Sequence, residues 1–189
     1  MEPMEALARA DAQFARVIGE VTIDDLDKPT GCEGWDVRGL LNHVIGGNRM
    51  SVVLLEGGER DDAVAVFAQD HLGDDYLVSY EDGMSDSRAA FAEEGALGRT
   101  VHHPMGDIPA TQLLQFRTGD LTLHSWDLAR AIGADDTIDP ELAEFVLQGL
   151  LPMAPVMAQV GVFGEGPSGT VGDDAPVQQR LLDLSGRRP

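Results

Sequence analysis

The fold of this chain is best predicted from one long helical segment, residues 110–133, with the sequence ATQLLQFRTGDLTLHSWDLARAIG. Pro109 precedes its first turn and Gly133 follows its last, and both residues favour those positions at helix ends. When successive side chains are placed about 100° apart, Asp120 and His124 lie one turn apart within the apolar stripe. An unpaired buried carboxylate is costly, so the pattern predicts a cationic partner or a metal ion for Asp120.

Apolar periodicity predicts four other long helical segments, which cover residues 2–20, 37–55, 76–94 and 140–160. Asp36 and Asp139 are the expected N-caps of the second and the last of these. Pro152 and Pro155 are expected to kink or split the last helix. Three shorter pieces are a short helix or irregular segment at 61–74, a hairpin or ordered loop at 99–110, and an amphipathic helix at 177–189.

These elements predict an all-α, up-and-down four-helix bundle with a short hairpin or loop. A βαβ architecture is disfavoured because repeated β-branched runs are absent. The chain has 189 residues, of which 43% are hydrophobic, enough for a sizeable core. Glycine and proline become frequent from Gly161 onward. We therefore expect a bundle domain over residues 1–160 and a C-terminal extension, residues 161–189, that packs on it.

Charge and cysteine content narrow the classes of function. The formal net charge is −20, from 33 acidic and 13 basic residues. Such a chain is disfavoured as a partner of nucleic acid or anionic membranes, which attract basic surfaces. The sequence has no apolar run of the roughly 18 residues needed to span a membrane. Its first 20 residues are expected to form an amphipathic helix rather than a secretory signal. Because Cys32 is the single cysteine and no intramolecular disulfide can form, we expect a cytoplasmic protein. The sequence leaves open whether it is a monomer or a homodimer.

A third polar residue extends the pattern of the long helix. His43 lies at the rim of the apolar stripe of residues 37–55. Two adjacent bundle helices can therefore direct His43, Asp120 and His124 to one point. Two imidazoles and a carboxylate with an open coordination position are typical of catalytic zinc or iron. The alternative is an ion pair between Asp120 and Arg117, with His124 as a hydrogen-bonded core histidine.

Two further residues share the polar sector of the long helix. Asp127 is interpreted as an acceptor that holds His124 or Arg130, because metal-bound histidines need such partners. Its alternatives are a plain salt bridge with Arg130, or an H-x-x-D pair in which Asp127 replaces Asp120 as ligand. Arg117 either pairs with Asp120 or orients an anionic group of a substrate.

The remaining candidates have less support. His102 and His103 face opposite sides of an extended segment, so at most one can reach the site, and exposed loop positions are favoured. His71 has no supporting context, and Trp126 is predicted to pack in the core. Cys32 is interpreted as a small buried residue rather than a nucleophile, because no feature clearly activates its thiol.

Three stretches of the chain resemble one known family. They are residues 31–50, GCEGWDVRGLLNHVIGGNRM; residues 101–133, VHHPMGDIPATQLLQFRTGDLTLHSWDLARAIG; and residues 178–189, QQRLLDLSGRRP. Together they resemble an actinobacterial family of metal-binding proteins in the DinB/YfiT-like superfamily, alongside the N-terminal domain of mycothiol-dependent maleylpyruvate isomerase. The similarity covers roughly residues 6–189. It implies a DinB-like four-helix bundle whose metal ligands correspond to His43, Asp120 and His124.

Two departures from the family pattern bear on function. Glu33 stands where the family usually has the proline of C-P-G-W, which changes the loop near Cys32 and no ligand. Only residues 161–189 follow the bundle, in place of the isomerase's separate C-terminal domain, so isomerase activity is not expected.

The resemblance implies a divalent-metal-dependent enzyme that activates a low-molecular-weight thiol for transfer to an electrophile. Zinc is the first candidate for the metal, with nickel or iron as alternatives, and mycothiol is the implied thiol. Two other functions stay open: a metal-dependent hydrolase with Asp127 as the only nearby base, and a non-catalytic metal- or ligand-binding protein.

Overall fold

The computed structural model describes residues 1–159, 161 and 166–188. The described chain is mostly helical. In order, its elements are α1 (Pro3–Ile18), α2 (Val37–Leu55), α3 (Arg60–Phe67), α4 (Tyr76–Ala92), β1 (Thr100–His103), β2 (Gly106–Pro109), α5 (Ala110–Ile132), α6 (Pro140–Leu150), α7 (Ala154–Gln159) and α8 (Val177–Leu184). Short 3-10 helices cover Ile23–Asp25 and Ala96–Gly98.

The described residues also include a two-stranded antiparallel sheet. The chain is therefore mostly helical, but it is not all-α as predicted. Val101 of β1 pairs with Ile108 of β2, and Thr100 pairs with Pro109. The predicted hairpin over residues 99–110 is therefore confirmed. The hairpin leads directly into α5 and contacts both α2 and α5.

The longest helices pack against each other around one apolar core. α5 contacts α1 and α2, while α4 packs on α2 and α1. Side chains such as Leu7, Phe14, Leu41 and Leu121 are fully buried between these helices. The contact between α2 and α5 brings together the two helices that carry the predicted metal ligands.

The predicted start of α2 and the predicted end of α5 are confirmed. Asp36 accepts a hydrogen bond from the backbone N–H of Gly39 at 2.8 Å and so caps α2. Gly133 ends α5 with a φ of 79°, which a residue without Cβ adopts readily. The last predicted helix differs: α6 ends at Leu150 and α7 begins at Ala154, as expected of a helix split by prolines. Residue 160 of that prediction lies outside the described residues.

The C-terminal segment packs on the bundle mainly through α8 and α6. Leu181 and Leu182 of α8 are fully buried. Arg180 pairs with Glu144 of α6 at 3.0 Å. These contacts lie within the expected extension, of which residues 162–165 and 189 are outside the described part. The division of the chain into a bundle domain and an extension stays a prediction. Among the described residues, no helix has the length and apolar character required to cross a bilayer.

A pair of glycines in the middle of α2 is explained by close packing. A Cβ at Gly46 would lie 3.0 Å from the ring of His71. A Cβ at Gly47 would overlap the guanidinium of Arg117, which lies against the backbone of α2 at this point. The helix therefore accepts the propensity cost of two glycines, about 1 kcal/mol each relative to alanine, so that these side chains can approach its backbone.

Replacement of Gly47 by alanine tests this packing, because close packing predicts a lower free energy of unfolding where helix propensity alone predicts a higher one. Gly47→Ala is expected to lower the free energy of unfolding by about 1–3 kcal/mol, because Arg117 must leave its position. Gly149→Ala in α6 is the control, since a Cβ there meets nothing within 4 Å. It is expected to stabilise the protein by up to about 1 kcal/mol through helix propensity. Urea unfolding of both variants measures the difference, and equal stabilisation would contradict the packing argument.

Candidate metal centre

The structure brings the three predicted ligands together where α2 meets α5. His43 Nε2 lies 3.0 Å from Oδ1 of Asp120, and His124 Nε2 lies 3.4 Å from the same oxygen. One ligand atom from each of the three residues lies within 4.8 Å of the others. The sequence argument from helix faces therefore selected residues that are neighbours in the fold.

These separations match the requirements of a small divalent ion. Zinc bonds to nitrogen and oxygen are about 2.0–2.2 Å long, so donor atoms bound to one ion are roughly 3–3.5 Å apart. The two nitrogen–oxygen distances, 3.0 and 3.4 Å, fall in that interval. The side chains of His43 and Asp120 keep 20% and 24% of their surface exposed, so the cluster is accessible from solvent.

The ion pair considered as an alternative also exists, and it uses the other carboxylate oxygen. Arg117 Nη2 donates to Oδ2 of Asp120 at 2.7 Å. Oδ1 is left facing the two histidines. Arg117 is itself buried, with 5% of its surface exposed. Pairing with Arg117 and contact with His43 and His124 are therefore compatible, and the guanidinium fixes the carboxylate rather than competing with a metal.

Asp127 lies on the opposite side of the His124 ring from Asp120. His124 Nδ1 donates to Oδ2 of Asp127 at 2.8 Å, and Asp127 is 2% exposed. This contact agrees with the predicted acceptor and leaves Nε2 for the cluster. The two alternatives fail: Arg130 pairs with Asp136 at 3.4 Å, and Asp127 contacts Nδ1 rather than the side that faces the other ligands.

A residue that the sequence argument missed completes this part of the site. Arg187, beyond α8, donates from Nε to Oδ1 of Asp127 at 2.9 Å and from Nη2 to Oδ2 at 2.6 Å. The two residues are 60 positions apart, and no spacing rule links them. The only signal in the sequence was the resemblance of the tail, which assigned it no role.

Cys32 is less buried than the expectation of a small buried residue. It is only partly buried, its thiol donates to Oδ2 of Asp127 at 3.3 Å, and Sγ lies 3.9 Å from Nδ1 of His124. Cys32, His124 and Asp127 thus form a second cluster of possible ligand atoms. Because the guanidinium of Arg187 occupies both oxygens of Asp127, this second cluster is poorly suited to a cation.

A tight turn positions Cys32 beside the cluster and Trp35 over it. The N–H of Trp35 donates to the carbonyl of Cys32 at 3.1 Å, and Gly34 has a φ of 80°. This is the pattern of a type II turn, whose second residue favours proline. Glu33 holds that position here, so the departure from the family pattern leaves the turn in place.

Aromatic rings border the predicted ligands. The ring of Trp35 lies 4.5 Å from that of His43 and 5.8 Å from that of His124, measured between centroids. Phe67, at the end of α3, meets His43 edge-on at 5.2 Å. These contacts restrict rotation of His43, whose Nδ1 is buried without a hydrogen-bond partner among the described residues.

The charged groups of the cluster strongly shift the pKa values of Asp120 and His124. Burial alone would raise the pKa of Asp120, but Arg117, His43 and His124 outweigh it and hold that pKa well below its usual range. Burial would lower the pKa of His124, but Asp120 and Asp127 outweigh it and raise that pKa well above its ordinary value. Without a metal, His124 is therefore a cation between two carboxylates, and a metal must displace the proton on Nε2.

The other histidines lie outside the cluster. His102 is partly exposed, with 41% of its side-chain surface accessible, and it contacts Asp107 at 2.9 Å. His103 is buried against Phe116, so its expected exposed position is wrong: β1 turns that side chain inward. His71 is buried and contacts the carbonyl of Val66 at 2.7 Å.

Fold and cluster together define a mostly helical class of protein with two imidazoles and one carboxylate between adjacent helices. The chain belongs to the family of the mycothiol maleylpyruvate isomerase N-terminal domain, whose family model matches residues 7–129. The matched segment includes His43, Asp120, His124 and Asp127, and it ends before Arg187. The family resemblance predicted from the sequence is confirmed.

Similar proteins cover most of the chain. Uncharacterized proteins Rv0738 and MT0763 of Mycobacterium tuberculosis are each 30% identical over 180 residues, covering 93% of this chain and 89% of the relative. A crystal structure of the mycothiol-dependent maleylpyruvate isomerase matches with a TM-score of 0.62 at 21% identity, over 86% of this chain and 72% of that one. A histidine-to-alanine mutant of that isomerase matches with a TM-score of 0.59. At this identity the structural matches establish a shared fold.

The raised pKa of His124 predicts a specific pH dependence of stability in metal-free protein. Its protonated form stabilises the fold fully below about pH 6.5, and this contribution is lost as the pH rises through the higher folded-state pKa. With a chelator present, the difference in free energy of unfolding between wild type and His124→Gln is therefore expected to shrink as the pH is raised above about 6.5.

His103 provides a comparison, because its pKa is shifted in the opposite direction from that of His124. Burial, aided by Arg60, lowers the pKa of His103. The contribution of His103 to stability should therefore rise as the pH approaches about 6.5 from below and then stay constant. Urea unfolding of His103→Gln across the same pH series measures it. A His124 contribution that grows with pH would contradict the ionisation described for the cluster.

Proposed function

We propose that the protein binds one divalent metal ion through His43, Asp120 and His124, with zinc as the first candidate and nickel or iron as alternatives. The observation that carries this proposal is the arrangement around Asp120. Its Oδ1 lies 3.0 and 3.4 Å from two imidazole nitrogens, while Arg117 holds Oδ2 at 2.7 Å. The donor set and spacing suit a catalytic zinc site with a free position.

We further propose that the site binds a low-molecular-weight thiol, with mycothiol as the first candidate, and promotes its transfer to an electrophile. Support for the thiol comes from the family, whose isomerase member is mycothiol-dependent by name. When bound, a divalent metal lowers the pKa of a coordinated thiol or water and so produces a nucleophile near neutral pH. A cytoplasmic location would suit a reduced thiol partner, and it is part of this proposal.

The protein's own residues have separable tasks in this proposal. Arg117 keeps Asp120 in one orientation, and its buried guanidinium makes it a poor site for an anionic group of the substrate. Asp127 keeps His124 turned so that Nε2 faces the other ligands. Trp35 covers both imidazoles from one side, while the partly exposed His43 and Asp120 leave an approach for small molecules.

The hydrolase alternative has less support from the geometry. It needs a carboxylate base beside the open position, and Asp127 was the only nearby candidate. Both oxygens of Asp127 accept hydrogen bonds from Arg187, and Oδ2 also accepts from His124. With 2% of its surface exposed, Asp127 is poorly placed to activate a water. A non-catalytic metal-binding role stays the alternative that experiment must separate.

Metal analysis of purified protein tests the first part of the proposal. Wild type is expected to hold about one ion per chain after reconstitution with zinc. Partners of a metal-bound histidine already contribute roughly 10–100-fold in affinity, so His124→Ala and Asp120→Asn are expected to cost more than about 100-fold. His102→Ala, a partly exposed histidine outside the cluster, should bind normally. Failure of the wild type to bind zinc, nickel or iron would refute the metal centre.

A conjugation assay tests the second part. Zinc-loaded wild type is incubated with mycothiol and a model alkylating electrophile, and thiol consumption is compared with that of His124→Ala and of His102→Ala. Acceleration is expected in wild type and His102→Ala, and loss of it in His124→Ala. In cobalt-substituted protein, added thiol should produce a sulfur-to-metal charge-transfer band. Metal binding with neither acceleration nor this band would favour the non-catalytic role.

A further inference from the structure

A line of charged side chains connects the C-terminal segment to the candidate metal centre. Arg187 contacts Asp127, Asp127 contacts His124, and His124 faces Asp120. We propose that Arg187 is a positioning residue of the metal centre, which fixes the orientation of His124 through Asp127. This inference rests on the proposed metal site. It adds to that site a residue that lies outside the segment matched by the family model.

The contact between Arg187 and Asp127 has the geometry of a fork. Two nitrogens of one guanidinium, Nε and Nη2, donate to the two oxygens of one carboxylate at 2.9 and 2.6 Å. Such bidentate pairs fix direction as well as distance. Rotation of the Asp127 carboxyl group would break both bonds, so Oδ2 stays directed at Nδ1 of His124, 2.8 Å away.

The burial of Asp127 supports the same role. Asp127 is 2% exposed, and a buried carboxylate without a cationic partner is strongly destabilising. Arginine stays protonated at any physiological pH. Arg187 is therefore a permanent cationic partner that keeps Asp127 in place beside His124.

The turn that follows α8 places Arg187 beside Asp127. The N–H of Arg187 donates to the carbonyl of Leu182 at 2.8 Å, and that of Gly186 donates to the carbonyl of Asp183 at 3.0 Å. With Gly186 at a φ of 76°, these two bonds form the Schellman motif that ends α8. Buried Leu181 and Leu182 anchor the helix, so the turn after it directs Arg187 toward the bundle.

The test compares zinc affinity among variants of the full chain, measured by competition with a chelator on protein shown to be folded by circular dichroism. Arg187→Gln is expected to weaken zinc binding by about tenfold, the lower end of the range for partners of metal-bound histidines. Arg187→Lys keeps the positive charge but cannot form the bidentate contact. Its zinc affinity should therefore lie between those of wild type and Arg187→Gln. Arg188→Gln is the matched control, because Arg188 contacts Asp183 and Gly166 instead.

A double-mutant cycle distinguishes positioning from general stabilisation of the tail. If Arg187 acts through Asp127, adding Arg187→Gln to Asp127→Asn should cost little further affinity. A merely structural role would leave zinc affinity of the folded variants unchanged and would lower only the unfolding temperature. In zinc-loaded wild type, nitrogen NMR should find the proton of His124 on Nδ1 and zinc at Nε2.

The outcomes separate this inference from the proposed function. Normal zinc binding by folded Arg187→Gln, with a competent wild type, overturns the role of Arg187 and leaves the metal centre standing. If Arg187→Gln does not fold, Arg187→Lys decides: weakened binding supports the role and unchanged binding overturns it. A wild type that binds no zinc overturns the metal centre and this inference together.

Discussion

The carboxylate of Asp120 is the group on which the arrangement of the site depends. It is contributed by the middle of α5, at the contact with α2, and it divides its two oxygens between different partners. Arg117 on its own helix takes one oxygen, and the imidazoles of His43 and His124 face the other. A carboxylate that keeps only 24% of its side-chain surface exposed still needs such compensation. Three positive or potentially positive groups are therefore gathered at one point between two helices.

This requirement also explains features of the helices that propensity alone would not favour. The guanidinium of Arg117, which pairs with Asp120, lies against α2 at Gly47, where any side chain would collide with it. The adjacent Gly46 makes room for His71 in the same way. Helix α2 thus gives up some intrinsic stability so that polar side chains can lie against its backbone. From the sequence alone, the glycine pair indicated close packing or a kink, and only the structure identifies the two side chains that need the space.

The sequence predicted what is local and periodic. The ends of α2 and α5, the hairpin and the three clustered residues follow from caps, apolar spacing and helix faces, because these depend on neighbours within a few positions. Contacts between distant segments were not predictable in this way. Arg187 meets Asp127 across 60 residues, and Cys32 reaches the same carboxylate from a turn before α2. No periodicity links such pairs, since their proximity depends on how α8 and the turn pack on the finished bundle.

The position of Asp127 shows how these distant contacts bear on the proposed metal site. Nδ1 of His124 donates to Oδ2 of Asp127, which leaves Nε2 on the side of Asp120. The guanidinium of Arg187 pairs with Asp127 without using either ring nitrogen of His124. Arg117 does the same for Asp120 on the other side of the ring. Each carboxylate at His124 thus has its own arginine, so the imidazole can lose its proton and leave no carboxylate unpaired.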